Sequence, residues 1–248
     1  MLPRNSLRLL ASAALLLLGL AAGAQPTGQK PTRVLFIGNG LTASTDVPGR
    51  LAKLAAAMGR SAIVESVTAD DHGLEDHWRD GRAAAAIRKG WDVVVLQQGS
   101  SMDAQSRAQL VDYSRRFAEP IRAAGARPAL FMVWPPAERM RDFAEVIKSY
   151  RAAASAVDGI LLPAGEAWLR AISADRRIRL YTGSVSPSTL GSDLAVLTIY
   201  LSLFPAGHQE FDEAFVAKAA RALGLPGDRR DLVFDAATRA IDEPMALE

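Results

Sequence analysis

Arg33-Val-Leu-Phe-Ile-Gly-Asn-Gly-Leu-Thr42 is a short β-branched and aromatic run that breaks into two glycines around an asparagine. Its counterpart, Trp91-Asp-Val-Val-Val-Leu-Gln-Gln-Gly-Ser-Ser101, ends an apolar run on two amides, a glycine and two hydroxyls. Neither run alternates apolar with polar residues. Each therefore predicts a strand buried on both faces, as in a parallel sheet covered by helices. Outward from these two, the runs Ala62–Val67, Pro128–Val133 and Gly159–Leu162 read the same way, so that with Arg33–Ile37 and Asp92–Leu96 the chain offers five strands. Between and after them lie Ala-, Leu- and Arg-rich amphipathic stretches. These predict helices over Pro48–Met58, Arg79–Lys89, Ala104–Ala124, Ala137–Val157, Gly165–Ser173, Thr189–Leu203, Glu210–Leu223 and Arg230–Ile241. Gly125, Gly159 and Gly224 stand where helices should stop. Alternation of strand and helix is the pattern of an α/β domain.

The first residues bear on the compartment. Arg4 and Arg8 precede an apolar run from Leu9 to Ala22, and small residues ending at Ala24 give way to Gln25-Pro26. This pattern predicts a secretory signal over residues 1–24, a flexible leader over 25–32 and one domain over 33–248. The run is shorter than the roughly 20 apolar residues that cross a bilayer. No stable membrane insertion is therefore expected once the signal is removed, and the expected location is periplasmic or extracellular. The chain has no cysteine, so a hydrophobic core must stabilise it without disulfides, and 49% hydrophobic residues can supply one. The formal charge of +2 falls to zero without Arg4 and Arg8. No Lys/Arg cluster interleaved with aromatic residues occurs, which argues against a nucleic-acid partner.

In an open parallel sheet, ligands bind beyond the carboxyl ends of the strands. Four segments there carry chemistry. Phe36–Thr42, followed by Asp46 and Pro48, has glycines that permit close backbone approach but lacks the Lys-Ser/Thr of a phosphate loop. His72-Gly-Leu-Glu-Asp-His-Trp78 carries two histidines five apart, a spacing that does not share a helical face, and no third metal ligand accompanies them. Gln97, Gln98 and Ser100 follow the third strand, where the amides either face the crevice or satisfy backbone. Leu180–Gly191 is a turn-rich loop in which Ser188 reads as a helix N-cap. Trp78, Trp91, Trp134 and Trp168 read as packing rather than sugar platforms, and His208 as a solvated turn residue.

In order and spacing, these segments resemble the SGNH (GDSL-type) hydrolases, especially a secreted bacterial branch. Phe36–Thr42 is similar to the first block, which in that branch reads Gly-Asn-Ser-Tyr-Thr with an Asp and a Pro soon after. His77-Trp78 is similar to the segment before the third strand, Trp91–Ser100 to the third block, and Thr182–Ser188 to the last. Phe131–Pro135 and Pro163–Trp168 add to the likeness. The resemblance implies a flavodoxin-like three-layer α/β/α fold with a parallel sheet of about five strands. It also implies acyl-transfer chemistry by a Ser, an orienting Asp and a His base. The slots for these three are filled by Gly40, Thr182 and Ser186. Gly40 has no side chain to attack with, and neither hydroxyl is a base near neutral pH.

The crevice scaffold is retained on this reading. Gly73 stands at the second-block glycine, whose N–H helps hold the oxyanion, and Asn39, Gln98 and Ser100 complete the candidate lining. The expectation is a protein without turnover that keeps a crevice for a small carbohydrate or acylated ligand, with no cofactor and no metal. The alternative is an active ester or O-acyl hydrolase with relocated groups, in which Ser44 or Ser100 is the nucleophile and His72 or His77 the base. A third reading is an envelope component that binds a partner. The sequence leaves the oligomeric state open.

Overall fold

The computed structural model describes residues 30–204 and 211–246. The expected signal and most of the leader, as well as His208, lie outside the described residues. In chain order the elements are β1 (Thr32–Gly38), α1 (Gly40–Ala43), α2 (Val47–Ala57), β2 (Ala62–Thr68), α3 (Leu74–Asp80), α4 (Arg82–Ile87), β3 (Val93–Leu96), α5 (Ala104–Ala123) and β4 (Arg127–Phe131). A 3₁₀ segment (Ala137–Asp142), α6 (Phe143–Ala156), β5 (Ile160–Leu162), α7 (Ala164–Ala174), α8 (Thr189–Leu203), α9 (Glu213–Leu223) and α10 (Arg230–Asp242) follow.

All neighbouring strands pair in parallel, in the order β2-β1-β3-β4-β5. The expected five-stranded α/β architecture is therefore the observed one. The order reverses between β1 and β3, and the carboxyl ends of these two strands are the place where open α/β sheets bind ligands. The physical reason for the buried runs is plain in β3, whose four residues are all buried, and in Val34–Ile37 of β1, none of which reaches solvent. Helix α8 is buried from Gly191 to Leu201, which is why its sequence is apolar all round rather than amphipathic. Among the described residues, no helix is long and apolar enough to cross a membrane.

Three local expectations are corrected. The single helix expected over Arg79–Lys89 is two, because Gly81 adopts a left-handed conformation (φ 74°) between α3 and α4, and α3 begins earlier, at Leu74. The stretch Ala137–Val157 opens as a 3₁₀ segment, with Arg139 off helical geometry at φ −117°. Gly159 does not end α6 by a left-handed turn. Asp158 takes that conformation (φ 38°), and Gly159 packs closely, since a Cβ there would lie 3.1 Å from the Pro128 carbonyl oxygen.

Candidate functional site

The crevice floor is built on close approach between β1 and the residue after β3. A Cβ on Gly38 would lie 2.4 Å from Gln97 Oε1 and 2.7 Å from Thr42 Oγ1, so only glycine fits. The Gln97 amide, fully buried, uses that proximity completely. Its Oε1 accepts from the Asn39 N–H (2.9 Å) and the Thr42 hydroxyl (2.8 Å), and its Nε2 donates to Asn39 Oδ1 (2.9 Å) and to the Gln98 carbonyl (2.7 Å). Asn39 in turn caps α1 by accepting from Leu41 N–H, and its Nδ2 donates to the His72 carbonyl (3.2 Å).

Gln98 faces inward as well. Its Oε1 accepts from Leu74 N–H (3.3 Å), while Nε2 donates to Ser101 Oγ (2.9 Å) and the Ser106 carbonyl (3.4 Å). The Tyr150 hydroxyl donates to the Gln98 carbonyl (2.6 Å), and burial pushes that phenol upward from its ordinary pKa. Of the two roles open to these amides, satisfying backbone and core groups is the one adopted. Ser100 Oγ donates to the Trp134 carbonyl (2.8 Å).

Gly73, expected to offer an oxyanion donor, has its N–H held by Asp76 Oδ2 at 2.9 Å. A carboxylate on that N–H disfavours a second anion beside it. His77 is fully buried and donates from Nε2 to the Gly38 carbonyl (2.8 Å), leaving Nδ1 without a partner. Burial lowers its pKa, with the Gly38 bond opposing, so the ring is neutral near pH 7. His72 lies outside α3, which brings its ring to 5.3 Å from that of His77 in spite of the five-residue spacing. Its Nδ1 sits 3.1 Å from the Asp70 carbonyl. Among the described residues, neither Ser44, which is exposed at the end of α1, nor Ser100 hydrogen-bonds to either imidazole. No nucleophile–base pair is formed by these four, and among the described residues no group of three or more His, Asp or Glu side chains converges to hold a metal ion.

Gly40 opens toward Asp70, whose Oδ1 is 3.2 Å from where a Cβ would stand. Asp70 was not singled out in the sequence, although its position two residues beyond β2 fits the rule that function follows strand ends.

The last block is a rim loop. Thr182 to Ser186 are exposed, and the loop is closed on itself by Thr182 N–H donating to the Ser186 carbonyl (2.9 Å). Its middle and one flank are tied to neighbouring segments. Trp134 Nε1 donates to the Val185 carbonyl (3.0 Å), Tyr181 hydroxyl to the Pro135 carbonyl (2.9 Å), and Ser184 Oγ to Glu138 (2.7 Å). Glu138 is a second residue the sequence did not single out. Trp134 stacks on Trp168 at 3.6 Å, and Tyr181 meets Trp168 edge-on. Both tryptophans, and Trp91, are buried, which makes them core packing. Behind the crevice, Ser192 Oγ lies 2.6 Å from Thr45 Oγ1, and Arg50 of α2 pairs with buried Asp193 of α8. These contacts tie the first block to the last.

No family model matches the chain, and no curated protein matches it in sequence. Solved structures do. A candidate SGNH hydrolase from Slackia heliotrinireducens is 28% identical, with a TM-score of 0.60 over 70% of this chain and 100% of its own. A DUF4886 family protein from Bacteroides uniformis is 18% identical, with a TM-score of 0.71 over 88% of this chain and 98% of its own. An acetyl xylan esterase from Geobacillus stearothermophilus is 12% identical, with a TM-score of 0.52 over 72% of this chain and 97% of its own. The chain is thus a three-layer α/β/α protein with parallel strands in flavodoxin-like order. More particularly, its fold is that of the SGNH (GDSL-type) hydrolases.

Proposed function

We propose that this is an exported protein of the SGNH-hydrolase fold that has given up ester hydrolysis and uses the crevice beyond β1 and β3 to hold a carbohydrate or an acylated sugar. The observation that carries the reading is a site furnished for shape but not for acyl transfer. Gly40 stands in the nucleophile slot, exposed Thr182 and Ser186 stand in those of the Asp and His, and the Gly73 N–H is taken by Asp76. An ester hydrolase needs an activated hydroxyl and a donor aimed at the developing oxyanion. Loss of a triad elsewhere leaves only about 10³–10⁴-fold catalysis over water, and that remainder depends on the oxyanion donors.

The test is hydrolysis of short acyl esters and acetylated sugars by the protein without residues 1–24, beside the variant Gly40→Ser with Thr182→Asp and Ser186→His. The wild type should stay at the blank rate while the triple variant gains turnover. Turnover by the wild type that disappears when His72 and His77 are replaced by Ala would overturn the reading and assign the chemistry to relocated groups. Fractionation of cells that express the full chain tests export, which requires the protein outside the cytoplasm and shortened at about residue 24.

A further inference from the structure

We infer that the first block is a self-modification site, in which the Gly40 nitrogen attacks the side-chain amide of Asn39 and converts that residue to aspartate and isoaspartate. The reaction concerns the chain's own floor and is independent of what the crevice binds.

A glycine after an asparagine leaves the next nitrogen without a side chain to shield it. The chain has this pair once: its two asparagines are Asn5 and Asn39, and only Asn39 precedes a glycine. Backbone geometry then brings the reacting atoms together. At ψ −158°, tetrahedral geometry at Cα turns the Asn39 Cα–Cβ bond to within about 40° of eclipsing the bond to Gly40 N, whereas an ordinary strand ψ leaves it more than about 100° away. The side chain folds forward from there. Its Oδ1 accepts from the Leu41 N–H at 3.1 Å, and a side-chain carbonyl on the N–H two residues ahead sets its Cγ beside the nitrogen one residue ahead. Among the described residues the Gly40 N–H donates to no acceptor. Both Asn39 and Gly40 are half-buried, so water reaches them.

Electrostatics favour the attack. Oδ1 holds two donors, the Leu41 N–H and Gln97 Nε2 (2.9 Å), and such a pair polarises the carbon and stabilises the oxyanion formed when it is attacked. A clamped amide is slow to cyclise when it is clamped away from its nucleophile. This one is clamped near the attacking geometry, so folding has already supplied the ordering that an unfolded chain must find. Gly40 N gives up its proton to water as its bond to Cγ forms. The Cγ–Nδ2 bond breaks, and Nδ2 leaves as ammonia with a proton taken from water. A second water opens the succinimide at either carbonyl, giving aspartate or isoaspartate at position 39. Both products lose the Nδ2 bond to the His72 carbonyl.

Site-resolved mass spectrometry of the purified full chain, incubated folded and in urea in mildly alkaline buffer, tests this. The folded chain should convert Asn39 at least as fast as the unfolded one, with the succinimide seen as loss of ammonia before the acid appears. The rate should fall in mildly acidic buffer, because the attacking nitrogen must lose its proton. Gly40→Ala should slow conversion by at least about tenfold, since its methyl shields the nitrogen. Gln97→Leu, which removes one donor from Oδ1, should slow conversion in the folded chain and leave the rate in urea unchanged. Slower conversion of folded wild type than of the same chain in urea overturns the inference and makes the network a lock on the amide. A cooperatively melting Gln97→Leu chain that converts no more slowly than folded wild type overturns it as well, and if that variant does not fold, the comparison of folded and unfolded wild type decides alone.

Discussion

The floor of the crevice and its rim are held in different ways. On the floor, Gly38, Asn39, Thr42, Gln97 and Gln98 satisfy one another and the core so fully that each side chain is dictated by its neighbours. On the rim, Thr182, Ser186 and Asp70 are exposed, and little packing specifies what they are. Chemistry in this fold would sit on the loosely specified positions. On the proposed reading the catalytic slots lie there, so that Gly, Thr and Ser fill them at small cost to the fold, whereas a change on the floor should cost more.

The largest test of that contrast is Gly38→Ala. The new methyl would press to 2.4 Å on Gln97 Oε1 and break the amide's bonds to Asn39 and Thr42. We expect a loss of about 3 kcal/mol in urea unfolding, against less than about 1 kcal/mol for Gly40→Ala, whose only close neighbour is the exposed Asp70 carboxylate. Equal losses would erase the distinction between floor and rim. Next comes Gln97→Leu, nearly isosteric but unable to pair with Asn39 N–H or the Thr42 hydroxyl. Stranding buried groups of this kind costs about 2 kcal/mol, and a neutral outcome would mean that the network is not specifying the floor.

The same contrast explains what could be read in the sequence. Strands such as Val93–Leu96 follow from uninterrupted apolar runs, because burial on both faces leaves a direct compositional signal. The order of the strands is implied only by the family resemblance, and the partly exposed β2 carries Glu65 and Ser66 within its run. Gly38-Asn39-Gly40 and Gln97-Gln98 stand out as candidates in the sequence because polar residues at the ends of buried strands are conspicuous, while the inward bonds that their amides make come from tertiary contact. What escaped was decided by tertiary contact. The break at Gly81 needs a left-handed glycine inside a helix-forming stretch, and nothing local separates that glycine from a tolerated one. That Asp76 takes the Gly73 N–H, or that Asp70 borders Gly40, depends on how the segment after β2 folds back on the first block. Glu138 is fixed by Ser184, 46 residues away.

Two buried titrating groups extend the comparison to pH. His77 supports the floor and is held neutral by burial, so its folded pKa lies below its unfolded value of about 6.5. Between those values the unfolded chain binds the extra proton, and stability falls as pH drops below that value. Asp193, behind the rim on α8, has the opposite sign. Burial, opposed by Arg50, pushes its pKa up to about 6 from 3.8. The native chain then holds the proton, and that contribution, fully present below 3.8, is lost as pH rises through 6. Asp193→Asn should match wild type near pH 4 and be more stable at pH 7, by about 1 kcal/mol after allowance for the retained contact with Arg50. Melting curves at the two pH values check it. A variant less stable at pH 7 would mean that the ion pair outweighs burial and that the tie between α2 and α8 is electrostatic.

The smallest effect belongs to the rim itself. Thr182 Oγ1 reaches the Pro187 and Ser186 carbonyls only at 3.3 and 3.5 Å, and the Ser186 side chain faces solvent. Thr182→Ala and Ser186→Ala should each stay within about 0.5 kcal/mol of wild type. Tyr181→Phe, one residue outside the loop, loses the 2.9 Å bond to the Pro135 carbonyl and should cost about 1 kcal/mol. That order follows if the aromatic stack of Trp134, Trp168 and Tyr181 positions the loop and leaves the side chains of Thr182 and Ser186 free to vary. If instead Thr182 and Ser186 prove the more costly, they have been recruited to packing. On the proposed reading, in which they fill the slots of an acid and a base, the triple variant would then unfold the rim rather than gain turnover.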